Sequence, residues 1–515
     1  NNLKSKNSAS RDGLSTNIVK RITQILLKPL TIIINQSLHT GIFPQKLKIA
    51  KVIPIYKKDD ERSFTNYRPI SILPALSKIF ERVIFNQIYD YFQKYKLFYI
   101  SQYGFRKKHS TQLAALDLVE NILCDMDNGD IPISIFLDMS KAFDTLDHSI
   151  LLDKLYFYGI TGTSLDLLKS YLTNRQQYIE FEEQSSKLLT VKTGVPQGSI
   201  LGPLLFIIYI NDFVYATDKF RFTMYADDTT LSTTINSTLT FDNSDSLNRE
   251  LNNISIWLKA NKLSLNINKS KFMIFHKTGK QFTVPNLMID EIPVEQVKEF
   301  NFLGLTLDEN MSWKYHINKI YGKMSRAVGI LNRLKNMLPL FTKQTIYNTL
   351  VLSHLNYCVL CWGSCINKLE KVQKKIIRII TCSKYNAHTN PLFKSLNILK
   401  VNDIYNLSLY KYYYKYLKND LPENLQQIHL TQNHQNTDYI LRNRDDLYVP
   451  FFRLTFTRQS IRYTIPMLIN ETPACIKEKL NTHSIHGLAF YVKQHIINTY
   501  ETQCLIPNCY ICGPN

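Results

Sequence analysis

The sequence contains no apolar run long enough to cross a lipid bilayer. A membrane-spanning helix takes roughly 18 consecutive apolar residues, and the longest run here, at 200–210, is interrupted by Gly202 and Pro203. The first residues carry no secretory signal, and the chain starts at Asn1, so we expect a piece of a longer protein. We expect no membrane partner.

Acidic residues and cysteines are also scarce. The 62 Lys and Arg outnumber 42 Asp and Glu, which gives a net charge of +20. Such an excess suits a polyanionic partner. By charge alone either nucleic acid or an acidic membrane surface would fit, and we expect nucleic acid. Nine irregularly spaced cysteines in 515 residues indicate a reducing compartment. The last third shows no separate Asp/Glu/His cluster, which argues against an added nuclease or RNase H domain.

An Asp-Asp pair lies between two strand-forming stretches within 222–231. The apolar run before Asp227 and the β-branched run after Asp228 predict a hairpin whose turn carries both carboxylates. Adjacent negative charges repel, so an isolated pair would protonate or splay apart. A cation such as Mg²⁺ removes that cost because it prefers carboxylate oxygens. The pair therefore indicates a metal site, although Asp-Asp alone is most often a polar turn.

A third carboxylate stands at the end of a strand predicted for 131–137. Asp138 follows this apolar stretch, and a helix starts soon afterwards with Ser140 as a candidate N-cap. Asp138 precedes Asp227 by 89 positions, so the chain must fold back to bring them together. If it does, the strand end and the hairpin turn supply three acidic ligands to one cation cluster.

Two segments carry groups suited to phosphates or bases. Pro69 biases Arg68 toward an extended backbone, from which its guanidinium could grip phosphate; the alternative is an exposed structural arginine. The Gly- and Pro-rich loop at 194–203 opens an apolar helix. There Gly198 permits close backbone approach, and Gln197 offers both a donor and an acceptor. The alternative is an ordinary loop-to-helix junction.

Basic residues concentrate in a mostly helical stretch that begins near Met311. Residues 321–420 hold 16 Lys or Arg against three acidic residues, a local excess of 13. A helix predicted for 369–380 has one apolar and one basic face. A charged face is usually only solvated, but an excess of one sign favours contact with a polyanion. The residues of this basic face are Lys371, Lys374, Lys375 and Arg378.

Two groups of cysteines could suggest zinc. The first shares one predicted helix face, which cannot easily wrap a tetrahedral ion, so core packing is favoured. The second forms a knuckle-like pattern near the C-terminus and would need a fourth ligand such as His495. Zinc and surface thiols both stay open for the second group. The first group is His354, Cys358, Cys361 and Cys365, and the second is Cys504, Cys509 and Cys512.

Six motifs, in this order, resemble the reverse transcriptases of non-LTR retrotransposons of the jockey and CR1-like lineages. Each motif is weak alone, but the ordered set is specific. The resemblance extends from residue 1 to about 380 and more faintly to about 475. The motifs are Tyr67-Arg68-Pro69-Ile70-Ser71, Gln102-Tyr103-Gly104-Phe105-Arg106, Phe136-Leu137-Asp138 with Phe143-Asp144, the loop 194–203, Tyr225-Ala226-Asp227-Asp228 and Phe302-Leu303-Gly304.

The resemblance implies an α+β fold, the right-hand polymerase, with fingers, an antiparallel-sheet palm and a helical thumb. We expect an N-terminal extension and fingers over 1–130, and a palm over 131–310 with a fingers insertion at about 150–192. A basic thumb would follow over 311–400. The region 401–515 would be a poorly defined C-terminal extension with a possible zinc-knuckle-like tail.

The resemblance also implies residue roles. Asp138, Asp227 and Asp228 match the metal-binding catalytic aspartates, and Met139 would lend a backbone carbonyl to one ion. The ring of Phe143 would reject a 2′-hydroxyl and so select deoxynucleotides. The residues that match dNTP contacts are Arg68, Phe143, Gln197, Gly198 and Lys271, with Lys269 competing for the last role. Those that resemble a primer grip are Phe302, Leu303 and Gly304.

The implied activity is RNA-directed DNA synthesis, in which a primer 3′-hydroxyl is extended with dNTPs. Two Mg²⁺ ions would serve it, with Mn²⁺ as a substitute. The implied partners are an RNA template, a DNA primer or target DNA, and dNTPs, and the implied location is the nucleus. Family members usually carry an endonuclease upstream of this region, and we do not expect one within the given sequence. The alternatives are a catalytically silent or domesticated RNA-binding copy, and a two-metal nuclease.

Overall fold

The computed structural model describes residues 5, 7–57, 60–140, 142–181, 184–235, 241–280, 282–436 and 444–501. Helix accounts for 52% of the chain and strand for 15%, which confirms the α+β class. The C-terminal candidates Cys504, Cys509 and Cys512 lie outside the described residues. None of the described helices combines the length and apolar character needed to cross a membrane.

The strands are β1 Ile49–Tyr56, β2 Tyr67–Ile72, β3 Ile131–Leu137, β4 Met139–Ser140, β5 Arg175–Phe181, β6 Gln184–Ser185, β7 Leu189–Val191, β8 Arg221–Tyr225, β9 Asp228–Ile235, β10 Ser264–Leu265, β11 Lys271–Ile274, β12 Met288–Ile289, β13 Ile292–Pro293, β14 Glu295–Gln296, β15 Glu299–Phe302 and β16 Leu305–Asp308.

The α-helices in the first part of the chain are α1 Thr16–Arg21, α2 Thr23–Thr40, α3 Ala75–Lys94, α4 Thr111–Asn128, α5 Ala142–Thr145, α6 His148–Phe157, α7 Gly162–Leu172, α8 Gly202–Tyr209 and α9 Phe241–Ala260. Those in the second part are α10 Lys314–Leu334, α11 Leu340–Tyr347, α12 Ser353–Asn356, α13 Val359–Trp362, α14 Asn367–Ile380, α15 Asn390–Ser395, α16 Val401–Leu417, α17 Glu423–Gln426, α18 Asn433–Asn436, α19 Ile461–Asn470, α20 Ala474–Thr482 and α21 Ile485–Asn498.

The central sheet has the strand order β14-β11-β3-β9-β8. Its middle strand β3 pairs antiparallel with both β9 and β11. Side chains alternate along a strand, and here both faces are covered. Ile133 and Ile135 belong to the core under α3, α8 and α9, whereas Phe136 belongs to a second core formed with α4. Burial on both faces explains why 131–137 is apolar at every position except Ser134.

A flanking sheet joins the N-terminal strands to the segment 175–191. Its order is β2-β1-β5-β6, and β7 also pairs with β5. The β1–β2 pair is antiparallel, and the β1–β5 pair is parallel. This pairing sets the predicted fingers insertion on the same sheet as the strand that carries Arg68.

The helical region, α10 to α21, shares one buried core with α4. Helix α10 packs on α14, and α16 packs on α14, α19 and α21. Helices on both sides of residue 400 therefore lie in one packed unit. The buried carboxylate of Glu120 binds α4 to the start of α19. It accepts a hydrogen bond from Ser460 Oγ at 2.6 Å and another from the Ile461 N–H at 2.9 Å.

The prediction that four residues around Cys361 share one helix face is wrong. The chain breaks between α12 and α13, where Cys358 has a left-handed φ of 51°. Cys358 and Cys361 are each 2% exposed, which confirms core packing for these two. Cys365 is exposed.

Candidate active site

Antiparallel pairing brings the three predicted metal-site aspartates to one end of the central sheet. Leu137 on β3 is the partner of Thr229 on β9, so Asp138, the next residue, lies across from Asp228. Tyr225 pairs with Asp228 across the β8–β9 hairpin, which leaves Asp227 in the turn. The predicted hairpin is confirmed, but its turn carries only Asp227, because Asp228 is the first residue of β9. The strand register brings Asp138 back to this turn, as the sequence required.

The charges of these aspartates act on one another. Burial, followed by the negative charges of Asp227 and Asp138, raises the pKa of Asp228 to about 6, although part of its side chain is exposed. The pKa of Asp227 is also raised, first by burial and then by Asp138, while Arg68 and Lys57 oppose the shift. Three carboxylates and two cations therefore share one electrostatic neighbourhood.

The donor chemistry of this end of the sheet fits a hard divalent cation, since carboxylate oxygens are the ligands that Mg²⁺ prefers. Within the described ranges, however, no three His, Cys, Asp or Glu side chains are gathered closely enough to hold one metal ion. Like charges favour side chains that point apart. Asp138, Asp227 and Asp228 would therefore have to rotate toward a common point to hold a cation.

Segment 101–104 supports the turn that carries Asp227. The Tyr103 N–H donates to the Met224 carbonyl at 2.7 Å, and the Met224 N–H donates to the Ser101 carbonyl at 3.0 Å. The buried Gln102 Oε1 accepts from the Ala226 N–H at 3.2 Å. Ala226 itself has a φ of 58°. Gln102 thus satisfies a donor in a left-handed turn, a role that sequence reasoning missed.

Gly104 in the same segment fits where a larger residue would not. A Cβ there would lie 2.3 Å from the nitrogen of Ala226. The signal in the sequence was a glycine between two aromatic residues, Tyr103 and Phe105, but its partner lies more than a hundred residues away. The segment therefore acts as a support for the aspartate turn.

The loop that contains Gln197 is tied to the strand that carries Arg68. The Ser71 N–H on β2 donates to the Gln197 carbonyl at 2.8 Å. Gly198 has a φ of 131°, and a Cβ there would lie 2.4 Å from the Ser71 carbonyl oxygen. The loop that carries Gln197 and Gly198 is thus bound to the strand that carries Arg68, and these are three of the five predicted dNTP contacts.

Aromatic neighbours fix the ring of Phe143 on α5. It stacks on Phe206 with a centroid distance of 4.4 Å and an interplanar angle of 29°. Phe105 meets it edge-on at 6.1 Å. The half-buried ring therefore lies between the apolar helix α8 and the segment that supports the aspartate turn.

Lys271 already has partners in the structure. Its ammonium donates to the Asn268 carbonyl and to the Glu295 carboxylate, both at 2.6 Å. That ion pair would compete with a phosphate, whereas the competing candidate Lys269 is exposed. The role of Lys271 stays a prediction.

Met139 is buried in the short strand β4, where it pairs with Leu265 of β10. The adjacent Asp138 carbonyl accepts from the Asn266 N–H at 2.8 Å. This pairing fixes the backbone that follows the first aspartate. The contact of the Met139 carbonyl with a metal ion stays a prediction.

The predicted primer-grip residues form the tip of the β15–β16 hairpin. Leu303 and Gly304 are the two turn residues, with φ values of 47° and 85°, as a tight two-residue hairpin requires. The Tyr357 hydroxyl donates to the Leu303 carbonyl. At the hairpin's base, Phe300 stacks on Phe136 of β3 at 3.9 Å. The hairpin is therefore fixed to the helical region and to the strand that leads into Asp138.

Helix α14 presents less free charge than its sequence indicates. Lys371 and Lys375 are exposed. Lys374 pairs with Glu370 at 2.7 Å, and Arg378 Nε donates to the Ala387 carbonyl at 2.8 Å. Two of the four predicted nucleic-acid contacts thus have partners within the chain.

Helix α10 carries an exposed basic stripe that the sequence reading missed. Four basic side chains repeat at intervals of four, three and seven residues, the spacing that keeps side chains on one helix face. Gly322 and Gly329 adjoin this face, and a Cβ at either would meet nothing within 4 Å. Internal packing therefore does not require these glycines. The stripe consists of Lys319, Lys323, Arg326 and Arg333.

The segment that holds this site matches a known family. Residues 55–307 match the model for the reverse transcriptase (RNA-dependent DNA polymerase) family. This segment includes the three aspartates, the Gln197 loop and the β15–β16 hairpin. Residues 55–307 therefore belong to the reverse transcriptase family, and the fold is that of a right-hand polymerase.

Similarity to curated proteins indicates which kind of reverse transcriptase this chain resembles. The chain is 30% identical to the probable RNA-directed DNA polymerase from transposon X-element of Drosophila melanogaster, over 78% of this chain and 45% of the relative. It is 28% identical to the RNA-directed DNA polymerase from mobile element jockey of the same species, over 77% of this chain and 44% of the relative. The resemblance to enzymes of non-LTR elements is thus confirmed. The chain spans less than half the length of these relatives.

Among solved structures, an apo telomerase from Candida tropicalis is similar at 13% identity with a TM-score of 0.37. The match covers 52% of this chain and 54% of that chain.

Proposed function

We propose that this chain is an RNA-directed DNA polymerase that adds dNTPs to the 3′-hydroxyl of a DNA primer on an RNA template. The observation that carries the proposal is the strand register that sets Asp138 across from Asp228, beside Asp227, within a reverse transcriptase domain. The printed names of the X-element and jockey polymerases support the same activity. Copying into chromosomal DNA would take place in the nucleus.

In this proposal Asp138, Asp227 and Asp228 would hold two Mg²⁺ ions, with Mn²⁺ as a substitute. When bound, these ions would supply a lowered pKa for the attacking hydroxyl and charge neutralisation for the leaving pyrophosphate. The remaining work of the chain is positioning, which supplies much of the rate in phosphoryl transfer. No side-chain nucleophile is needed, which agrees with a site made of carboxylates.

The other site residues orient the nucleotide. The exposed guanidinium of Arg68, near Asp227, forms a bidentate hydrogen-bonded contact with the triphosphate. The ring of Phe143 blocks the space that a 2′-hydroxyl would need. Its stacking on Phe206 prevents the ring from moving aside. Gln197 and Gly198 flank the nascent base pair. Together these groups select a deoxynucleotide and hold its α-phosphate for attack.

The template–primer duplex is held by contacts to its backbone, which position a duplex without reading its sequence. The β15–β16 hairpin tip supports the primer end. The exposed stripe on α10 and Lys371 and Lys375 on α14 supply positive charge, and the glycines beside the stripe allow close approach of a sugar-phosphate backbone. The partners are therefore an RNA template and a DNA primer.

Incorporation of dNTPs on a homopolymer RNA template, with Mg²⁺ and with Mn²⁺, tests this function. We expect Asp138→Ala and Asp227→Ala each to lower the rate by about a thousandfold or more, since loss of metal-assisted charge stabilisation costs several kcal/mol. Duplex affinity should stay near that of the wild type. Asp153→Ala, an exposed substitution on α6, is the matched control.

Two outcomes would contradict the proposal. Polymerisation retained by either aspartate variant would end the metal assignment. A wild-type chain that binds the duplex but incorporates no dNTP with either metal would favour the catalytically silent alternative.

A further inference from the structure

A carboxylate with no role in the proposed mechanism holds the amide of Gln197. Gln197 Nε2 donates to Asp144 Oδ1 at 2.8 Å and to Oδ2 at 3.0 Å. Asp144 follows Phe143 on the short helix α5. One turn of helix therefore carries both the ring that would face the sugar and the carboxylate that binds the glutamine.

The path of the loop does not depend on this side-chain pair. The Gly194 N–H donates to the Leu146 carbonyl at 2.7 Å, and the Val195 N–H donates to the Phe143 carbonyl at 2.9 Å. His148 Nε2 contacts the Gly194 carbonyl at 2.8 Å. Backbone bonds thus fix the loop against α5 and α6. The Asp144 side chain is left to set the direction of the amide.

The chemistry of the pair decides which way the amide faces. A carboxylate accepts hydrogen bonds and donates none, so the amide nitrogen must face Asp144. Gln197 Oε1, an acceptor, is then the group left for a ligand. Without Asp144 the amide could turn over and present a donor instead, because its two ends have nearly the same shape.

A cavity beside the pair gives the amide room to turn. It has a volume of about 330 Å³, and both Asp144 and Gln197 line it, together with Pro69 and Ser71 of β2. Bonds to an ionised group are stronger than neutral ones. Asp144 therefore restrains a side chain that has space to adopt other orientations.

We propose that Asp144 is a positioning residue that orients the Gln197 amide, so that its oxygen acts as an acceptor toward the incoming nucleotide. This inference rests on the proposed function, since Gln197 meets a nucleotide only if the chain is a polymerase. Asp144 does not touch the reacting atoms. Its effect is exerted on dNTP binding and not on the chemical step.

A double-mutant cycle tests the inference. Steady-state incorporation of a complementary dNTP is measured for the wild type, Asp144→Ala, Gln197→Ala and the double variant. Loss of a hydrogen bond to a charged group predicts that Asp144→Ala raises KM by about tenfold, with kcat changed less than about twofold. In the Gln197→Ala background, Asp144→Ala should change KM no further.

Two further variants separate positioning from folding. Asp144→Asn can donate as well as accept, so it permits both amide orientations and should give a KM between those of the wild type and Asp144→Ala. Asp153→Ala on the neighbouring helix α6 should leave KM unchanged. Thermal unfolding and duplex affinity are measured for each variant, because a folding defect would lower both.

Two results would overturn the inference. The first is a wild-type KM in Asp144→Ala, whether or not kcat and thermal stability fall. The second is an equal rise in KM from Asp144→Ala with and without Gln197. Failure of the wild-type chain to incorporate any dNTP would instead overturn the proposed function, and this inference with it.

Discussion

Gly104 shows how the absence of a side chain permits close packing at the end of the sheet that carries the aspartates. A Cβ at this position would lie 2.3 Å from the Ala226 nitrogen, closer than two such atoms can approach. We expect Gly104→Ala to push the turn that carries Asp227 out of place and to destabilise the fold by about 1–3 kcal/mol, the usual cost of overpacking.

Activity should fall more steeply than stability, because catalysis is sensitive to shifts of an ångström. Incorporation assays and thermal unfolding of Gly104→Ala measure the two effects. Gly487→Ala is the control, since a Cβ there meets its neighbours only at ordinary contact distance, 3.4 Å or more. Normal activity in Gly104→Ala would show that the turn can move without consequence.

His316 on α10 is a titratable group in the core beneath the β15–β16 hairpin. It is 4% exposed, and its Nδ1 accepts from the Thr306 N–H at 3.2 Å. Burial, followed by the positive charges of Lys319 and Lys323, lowers its pKa to about 4. The folded state therefore keeps this imidazole neutral well below the usual range.

The sign of the resulting pH dependence follows from proton linkage. Between pH 6.5 and 4, His316 binds a proton in the unfolded chain but not in the folded chain. The free energy of unfolding therefore falls as pH falls. Over the full window this amounts to roughly 3 kcal/mol at most. His316→Asn keeps an acceptor but cannot titrate, so it should lose less stability in acid. Urea unfolding at pH 7 and pH 4.5 measures the difference, and equal acid losses would contradict it.

At the scale of elements, one hydroxyl binds the tip of the β15–β16 hairpin to the helical region. The Tyr357 O–H donates to the Leu303 carbonyl at the hairpin tip. Tyr357→Phe removes that bond, worth about 1 kcal/mol, and leaves the ring against Gly304. If the tip supports a primer end, products should become shorter while the first addition stays near the wild-type rate.

Single-nucleotide addition and product length on a long template separate these effects. Tyr385→Phe is a suitable control because the Tyr385 ring is 89% exposed. Unchanged product length in Tyr357→Phe would mean that the hairpin keeps its position without this bond.

Elements marked by a local pattern of residues could be predicted from the sequence. The bounds of β3 agree with the predicted 131–137, because a strand buried on both faces is mostly apolar, and here Ser134 is its only polar residue. The β8–β9 hairpin was also predictable, since Asp227 and Asp228 interrupt two strand-forming runs. Even the Lys374–Glu370 pair was visible as an i, i+4 spacing.

The sequence did not show which residues meet in the folded chain. The register of Leu137 with Thr229, the packing of Gly104 on Ala226 and the bond from Arg378 to Ala387 all depend on tertiary structure. The helix break at Cys358 was also not predicted, because the regular spacing of the cysteines suggested one continuous helix. The site residues were therefore recognisable by type and order, whereas the groups that hold them in place were not.

For the whole molecule, the excess of positive charge predicts a strong dependence of duplex binding on salt. Each phosphate contact releases counterions, so the logarithm of affinity falls linearly with the logarithm of salt concentration. If the α10 stripe binds the duplex, the double variant Lys323→Ala/Arg326→Ala should weaken binding and reduce that slope by roughly 1.8.

Filter binding or fluorescence anisotropy over a series of salt concentrations gives the slope. Arg21→Ala/Lys28→Ala removes the same charge from exposed positions on α1 and α2 and should change the slope less. An identical slope in the α10 variant and the wild type would remove this helix from the interface.

The buried contact between Glu120 and residues 460–461 has a consequence for any shortened form of the chain. A product that ended at residue 400 would retain all six sequence motifs. Yet it would leave the Glu120 carboxylate without its hydrogen-bond donors and would bare the apolar surface of α4 and α14. A chain that contains all six motifs is therefore not sufficient for independent folding, because part of the buried core comes from residues beyond 400.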